Sequence, residues 1–599
     1  MTKAFLPRFA LTLAITGHRR IPADQADRVG RQLDEVLTSA RAGAEAVSAQ
    51  GRRWGFFPRP PLLRLASCLS EGSDRMAAFQ ALAAGCKLQA ILPFPVRSPV
   101  HGLDLPPAEQ AASRRELAAL CRTAESVLEL VPAPPPGWQE LCADFSPVGQ
   151  DSLSESFRQR AYLEAGCVML EHSDILIAVW NGKPQPAEGS TYDMLCRALR
   201  RRMPVCLIDS SRDCPVRIVQ SPDQLLCPAG QDAPPLDEVV VRRWGLESGN
   251  TAEQLRQTDS VLGSLTGRPV PRLARLWNSF QKFVTRSGVS RLDPGPYREE
   301  TRPDFLLFDN AANHCAAMHR SSFLGLALMS ILAVLSAALA SVWPGGETHH
   351  LALSVLGVAE AFLLAGAIGN VLQARRRGWQ KQLTLFRLAA EVLRLNSFAA
   401  SLGIPCSCGF SKQSLYGDEQ GEAWLPYVLR NSLRERGFSS VDMSDTAQIS
   451  ALREDIAAYL IHSQYCYHRR NSVSCRIMAE TIEKISGLVF FISLLVVGIR
   501  FFCNVFLDTA ILDPALSFLG TIGPVLATSS QAVAQYAELK RLSIRSAHLA
   551  KELNCYLKQI REARSGSELR TITASVLELM NKDVYDWKEQ YNMPDISLS

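Results

Sequence analysis

"LIAVWNGKPQPAEGSTYDM", residues 176–194, sets a short apolar run against a loop and a helix start. Leu176-Ile177-Ala178-Val179 has the length and continuous apolarity of a strand buried on both faces. Asn181-Gly182 breaks the run, and Gly189-Ser190-Thr191 opens a helix with residues suited to capping. A buried strand that passes through a short loop into a helix is the repeating unit of a parallel sheet covered by helices.

The same unit recurs on either side of that stretch. Leu11 to Thr16 reads as a strand and Ala23 to Ala42 as a helix. After a Pro- and Arg-rich insert (Arg52 to Pro61), Leu62 to Leu69 reads as a strand, Asp74 to Gly85 as a helix and Leu88 to Leu92 as a third strand. Pro-rich loops bracket Ala124 to Val131 and continue to about residue 150. A helix at 153–172, the strand at 174–180, a helix at 190–202 and a strand from Val205 to Ile208 complete the series. The expectation for residues 1–212 is an α/β, Rossmann-like, doubly wound parallel sheet, whose ligands would sit at the carboxyl ends of the strands. The apolar run near the N-terminus is short, flows into a Gly-His-Arg turn and lacks a cleavage site, so it reads as a first core strand and not as a signal peptide.

Residues 213–300 read as a polar connector with one helix near 271–286, taken as a core helix, with a juxtamembrane amphipathic segment as the alternative. Beyond it the composition changes. Residues 323–343 carry no charge, and residues 351–372 carry only Glu360. About 20 apolar residues cross a bilayer's hydrocarbon core, so the two segments read as a transmembrane hairpin. The connecting PGGETHH has no Lys or Arg, whereas Arg375-Arg376-Arg377 and Lys381 follow, which puts both ends of the hairpin inside. A second pair is expected from Ser486 to Phe506, with Arg500 able to snorkel, and from Ala510 to Val533, a weaker segment kinked at Pro524. Basic residues again flank this pair on the inside, from Arg469 to Lys484 and from Lys540 to Arg545. The reading is an all-α membrane domain of about four spans with amphipathic helices, divided at 301–405, a linker at 406–450, 451–565 and a tail at 566–599. LFRLAAEVLRL (385–395) and RSAHLAKELNCYL (545–557) follow their hairpins at matching distances, which suggests an internal repeat.

A net charge of +5 over 599 residues gives no basic field for nucleic acid. The 16 cysteines are scattered singly apart from Cys406 and Cys408, which fits reduced thiols used as small apolar residues in a cytoplasmic setting. The 10 histidines form no cluster with metal spacing, so no metal is expected.

Three loops should converge at one edge of the sheet. They are Gly17-His18-Arg19 after the first strand, Glu71-Gly72-Ser73-Asp74-Arg75 between the second strand and its helix, and the opening stretch with Trp180, Asn181, Gly182, Gly189, Ser190 and Thr191. Glycines let backbone approach a ligand closely, arginines offer donors to an anion, and helix N-termini present N–H groups. These residues, with LSEGSDRMAAFQALAAGCKLQAILPFP and SDILIAVWNG, resemble the SLOG superfamily of nucleotide-sensing domains related to LOG and DprA proteins. The membrane half resembles the SLATT effector hairpins of bacterial conflict systems, through Trp379 and the helix carrying Arg387, Ala390, Glu391 and Arg394.

Together the resemblances imply a cytosolic sensor of a cyclic or ADP-ribose-type nucleotide messenger, with no further cofactor. It would be joined to a pore-forming or membrane-disrupting effector in antiphage defence. They imply a multi-pass, homo-oligomeric protein of a bacterial inner membrane with both termini cytoplasmic, and a neighbouring nucleotide synthase as its partner. LOG enzymes carry a glutamate three residues after the threonine, where this chain has Met194, so a sensor is expected in preference to an enzyme. The alternatives are a membrane-tethered nucleotide hydrolase or N-glycosidase and a protein-anchoring scaffold. Glu360 and Arg500 are the pore or gating candidates, because an ionisable group at membrane depth is costly unless it serves the interior.

Overall fold

The structure is a computed structural model describing residues 7–53, 57, 59–98, 100–101, 105–130, 152–185, 187–226, 234–245, 269–296, 303–343, 349–404, 424–506, 513–536 and 538–591. Its N-terminal part is an eight-stranded sheet of order β7-β6-β5-β1-β2-β3-β4-β8. The strands are β1 (Ala10–Gly17), β2 (Leu62–Ser67), β3 (Lys87–Leu92), β4 (Ser126–Glu129), β5 (Ile175–Trp180), β6 (Val205–Asp209), β7 (Arg217–Val219) and β8 (Val441–Asp442). All neighbours pair in parallel except β6 with β7. Helices α1 (Ala23–Arg53), α2 (Ser73–Ala83), α3 (Pro107–Thr123), α4 (Ser152–Glu171) and α5 (Thr191–Arg200) cover its faces. β2 and β5 are buried at every position, as strands of a doubly covered sheet must be; β5 is apolar throughout, and β2 also buries Arg64 and Ser67.

The sheet domain does not end at residue 212. β7 and helix α6 (Asp223–Leu226) follow, and then α7 (Leu236–Trp244) lies so close to α1 that a Cβ on Gly43 would meet Val240 Cβ at 2.7 Å. Of the segment expected as a linker at 406–450, residues 424–442 also belong to the sheet domain. Its Trp424–Arg436 helix packs on β1, and β8 extends the sheet beyond β4. Arg64 donates to the carbonyls of Arg434 and Glu435, capping that helix, and Gly437 (φ +66°) turns the chain where any side chain would strike Gln89. Arg434 and Arg430 reach Asp174 just ahead of β5, and Tyr427 Oη donates to the Trp244 carbonyl at 3.1 Å. This docking surface lies along the N-terminal ends of β1, β2 and β5, opposite the edge where ligand loops would sit.

The rest of the chain is helical. Among the described residues, three helices are long and apolar enough to cross a membrane: Pro303–Val342, His350–Ser401 and Thr446–Phe506. Their apolar side chains stand exposed, with Phe362 at 74% and Phe501 at 68%, which suits contact with lipid and not with water. The expected fourth span forms a helix, Asp513–Tyr536, that falls short of the other three in apolarity because Thr, Ser, Gly and Gln interrupt it. It nevertheless runs antiparallel to the Ser463–Phe506 helix, with Arg500 on Asp513, Gly523 against Ser493 and Ser486 Oγ on Ser530 Oγ. In the first hairpin Asn370 bonds Ser322, and Arg387 reaches Asp309 across the helices at 3.0 Å. Each hairpin then passes through one left-handed residue, Gly378 (φ 57°) or Glu538 (φ 48°), into an amphipathic helix, Trp379–Ser401 or Leu539–Glu562. The repeat therefore exists at the level of backbone elements. Both of its glutamates are half-buried, and Glu391 is paired with Arg387 and Arg394.

Two further readings change. The connector helix, Arg272–Val289, packs one face on the long helices through Ala274 N–H to Ser321 Oγ and Gln281 to Ser474. Its other face leaves Leu276, Phe280 and Phe283 exposed at helical spacing, so the helix is amphipathic with one apolar face uncovered. The expected tail is a helix, Gly566–Tyr591, with Leu569, Val576 and Leu577 in the core and Arg570 paired to Glu164 of α4.

Candidate functional site at the carboxyl edge of the sheet

β1 and β5 are the adjacent strands from which the chain winds outward in opposite directions, so the loops after them flank the sheet's switch point. The loop after β2 lies beside them. His18 joins all three. Its carbonyl accepts from Ser73 N–H and Ser73 Oγ, both at 3.2 Å, and its Nε2 accepts the Asn181 N–H at 3.0 Å. That last bond requires a neutral ring protonated on Nδ1, and burial indeed pushes the His18 pKa below its usual value.

The glycines show how tightly the loops fit. A Cβ on Gly17 would stand 2.3 Å from Ser73 Oγ and 2.8 Å from Val179 Cβ. One on Gly72 (φ +83°) would meet the carbonyl oxygens of Arg19 and His18 at 2.4 and 2.5 Å. Only residues without a side chain allow the second loop to ride over the first.

Asp74 is the titratable group of note here. Burial raises its pKa to about 8, against the opposing effects of a hydrogen bond from Ser70 and the charges of Arg19 and Arg75. Arg75 itself turns inward. Its Nε donates to the Leu69 carbonyl, and its terminal nitrogens reach Ser113, Glu116 and Glu71. Glu71 is held by Arg75 and by Ser113 Oγ at 3.1 Å, on the α3 side of its loop. Arg19 lies over the Tyr162 ring, 4.6 Å from its centroid.

In the third loop the helix start is already used by its own residues. Ser190 Oγ accepts from Asp193 N–H, while the Asp193 carboxylate accepts from Gly189 N–H at 3.1 Å and pairs with Arg197. This reciprocal cap leaves the N–H groups of Thr191 and Tyr192 as the first-turn donors of α5. Trp180 stacks on Tyr192 (5.7 Å, 26° between planes) and donates from Nε1 to the Lys183 carbonyl. Asn181 Oδ1 accepts from Lys183 N–H, and Gly182 (φ +77°) faces open space. Met194, where the resemblance to LOG enzymes would call for a glutamate, is buried against Gly166.

Sequence reasoning missed an aromatic wall beside these loops. Phe94 packs on Phe157, Tyr162 and His101, and Tyr162 carries the contact to Arg19. The signal available was PFP after β3, where an aromatic stands at a strand's carboxyl end. Of the membrane candidates, Glu360 is half-buried midway along the return helix, and Arg500 is paired with Asp513 at 2.7 Å, not extended toward headgroups.

Comparison with protein-family models, curated proteins and solved structures finds no match. What stands is a mostly parallel α/β sheet followed by long apolar helices, and no family is identified for the chain.

Proposed function

We propose that this chain senses a nucleotide-derived messenger at the carboxyl edge of its sheet and answers through its membrane helices by permeabilising a bacterial inner membrane. The observation that carries the sensing half is the tie made by His18, which binds three loops into one unit at the switch point. A ligand anion there would meet the first-turn N–H groups of α5, and a base or ribose the aromatic wall. The Trp180–Tyr192 stack, Asn181 and Gly182 border the same crevice. For the membrane half, the antiparallel register of the Asp513–Tyr536 helix on its partner supports counting it as a fourth span, with both chain ends in the cytoplasm. Four helices enclose little lumen, so the open form would be a homo-oligomer. A ligand drives this only by binding one state more tightly than the other.

The test is leakage. Protein reconstituted in liposomes should release ions or dye on addition of a cyclic or ADP-ribose-type nucleotide, and His18→Ala should abolish the response. Silence across a broad nucleotide panel, with no binding by calorimetry, rejects the proposal.

One observation favours a second reading, nucleotide hydrolysis. A carboxyl whose pKa is raised to about 8 suits a general acid, and Asp74 sits at the strand edge. Turnover of nucleotides abolished by Asp74→Asn would select it over sensing.

A further inference from the structure

After the connector helix the chain turns at Asp293-Pro294-Gly295 and lies against the helix that climbs into the second hairpin. At that crossing Asp293, His462 and Cys466 place a carboxylate oxygen, an imidazole nitrogen and a thiol sulfur within 4.8 Å of one another. We propose that these three side chains form a site for a zinc-class divalent cation, which clips the end of the connector to the root of the second hairpin. The inference stands apart from the nucleotide reading.

The donor set selects the ion. Thiolate and imidazole together favour zinc over magnesium or calcium, and the carboxylate completes a three-ligand site with a fourth position for water. Ligand atoms sharing one tetrahedral zinc stand roughly 3.3–3.6 Å apart. His462 Nε2 and Asp293 Oδ2 are already 3.8 Å apart, so a small closing motion suffices.

The surroundings hold the ligands in place. Asp293 Oδ1 accepts the Gly295 N–H at 2.9 Å, which fixes the carboxylate and leaves Oδ2 turned to His462. Gly295 has φ +79°, and a Cβ there would lie 2.8 Å from Cys466 Cβ and 3.3 Å from its sulfur. A glycine is thus what lets the turn approach the thiol. The His462 ring stacks on Tyr465, 18° from parallel. Arg469 and Arg470 are the nearby cations, and Arg469 is directed to Tyr465 Oη at 3.2 Å. The seven-residue π-helix Ile456–His462 ends at the first helical ligand, and such wide turns re-phase a helix at functional positions. Cys466 is 2% exposed while the Asp293 side chain is 61% exposed, so the ion would enter from the carboxylate side and bind the thiol beneath.

The experiment uses full-length reduced protein in detergent, equilibrated with Zn²⁺ or Co²⁺ and then dialysed. The expected result is close to one metal per chain by elemental analysis, with thiolate-to-cobalt charge-transfer absorption. Cys466→Ser should remove that absorption, and Asp293→Asn, an exposed substitution that leaves packing intact, should weaken affinity about tenfold or more. Peptide-resolved alkylation should show Cys466 protected by Zn²⁺ and released by chelator. Metal-free protein after dialysis, cobalt absorption without the thiolate band, or a band that survives Cys466→Ser would each overturn the proposal.

Discussion

Replacing Asp174 with Asn tests how the inter-hairpin segment is fastened to the sheet. The Asp174 side chain is 6% exposed; Thr12 N–H at 3.0 Å and Arg434 Nε at 3.1 Å donate to it, and the Arg430 guanidinium forms an ion pair with it at 2.9 Å. Burial alone would raise this carboxyl, but Arg430 and Arg434, with the Thr12 N–H, outweigh it and hold the pKa below the usual range. Asn keeps the shape and removes the charge, leaving two arginines at the interface without their anion. Breaking a buried pair from one side costs about 3–5 kcal/mol. At ~2–4 °C per kcal/mol for a domain of roughly 150–250 residues, the melting midpoint of the sheet domain should fall by roughly 6–20 °C.

The assay is a thermal melt of the full-length protein in detergent, followed by tryptophan fluorescence and limited proteolysis between residues 424 and 443. Removing all three charges together (Asp174→Leu, Arg430→Met, Arg434→Met) should recover most of the loss, because a buried ion cluster replaced by apolar groups is often near neutral. The pH leg has a definite sign. Because the folded pKa is depressed, the stabilisation is complete above the unfolded value near 4 and is lost as pH falls through the folded value. The Asn variant should lack that acid-side loss. A single variant melting within about 2 °C of wild type, or a triple variant no better than the single one, would refute the reasoning.

Gly72→Ala should cost about 1–3 kcal/mol and displace the first loop, since the new methyl meets two backbone oxygens; nucleotide binding by calorimetry should fall more than overall stability does. Asp74→Asn should remove a pH slope of the opposite sign to that of Asp174. The native Asp74 holds a proton that the unfolded chain loses above about pH 4, so wild-type stability declines from there up to about pH 8 while the variant's does not. Parallel pH profiles from melts of the two proteins would contradict that. Gly523→Leu should splay the second hairpin at a cost of about 1–3 kcal/mol, because a Cβ at 523 already collides with Ser493. A Ser486→Cys, Ser530→Cys crosslink should form efficiently without the leucine and poorly with it.

The strand pattern of the first 212 residues was legible because continuous apolar runs such as LIAV fit little but a doubly covered parallel sheet. α3 was not read because Pro106-Pro107 looked like loop, although Pro107 at the first helical position is a helix start. The final helix is legible in the sequence. Ser565 and Glu568 form a reciprocal cap, and Leu569, Ile572, Val576 and Met580 recur on one face. β8 has two residues and carries no local signal, since its pairing depends on the helix before it being docked first. The loops were found from glycines and helix starts. The role of His18 was not, because an acceptor bond to an amide 163 positions away depends on the assembled sheet. Arg75 shows the reverse error, a residue type suited to anions that the fold uses to hold α2 against α3.

The way the segments interleave sets conditions on any signal that crosses this molecule. Among the described residues the helical part is held to the sheet at separated points along the chain, through Gly403 on Leu128 and the Trp424–Arg436 helix with β8 between the hairpins, and through Arg570 on Glu164 after the second. A hinge at one linker could not free the helices, because the other attachments would resist. The candidate ligand loops and the Asp174 cluster lie at opposite ends of the same strands β1 and β5, and His18 and Thr12 belong to one continuous stretch of chain. A ligand that draws the β1 and β5 loops together would therefore act on the docked helix by tilting these two strands as rigid elements. That gives the Asp174 triple variant a second use. If the cluster is the transmitting contact, the variant should keep nucleotide affinity and lose leakage, whereas a variant that merely loosens the fold should lose both in proportion.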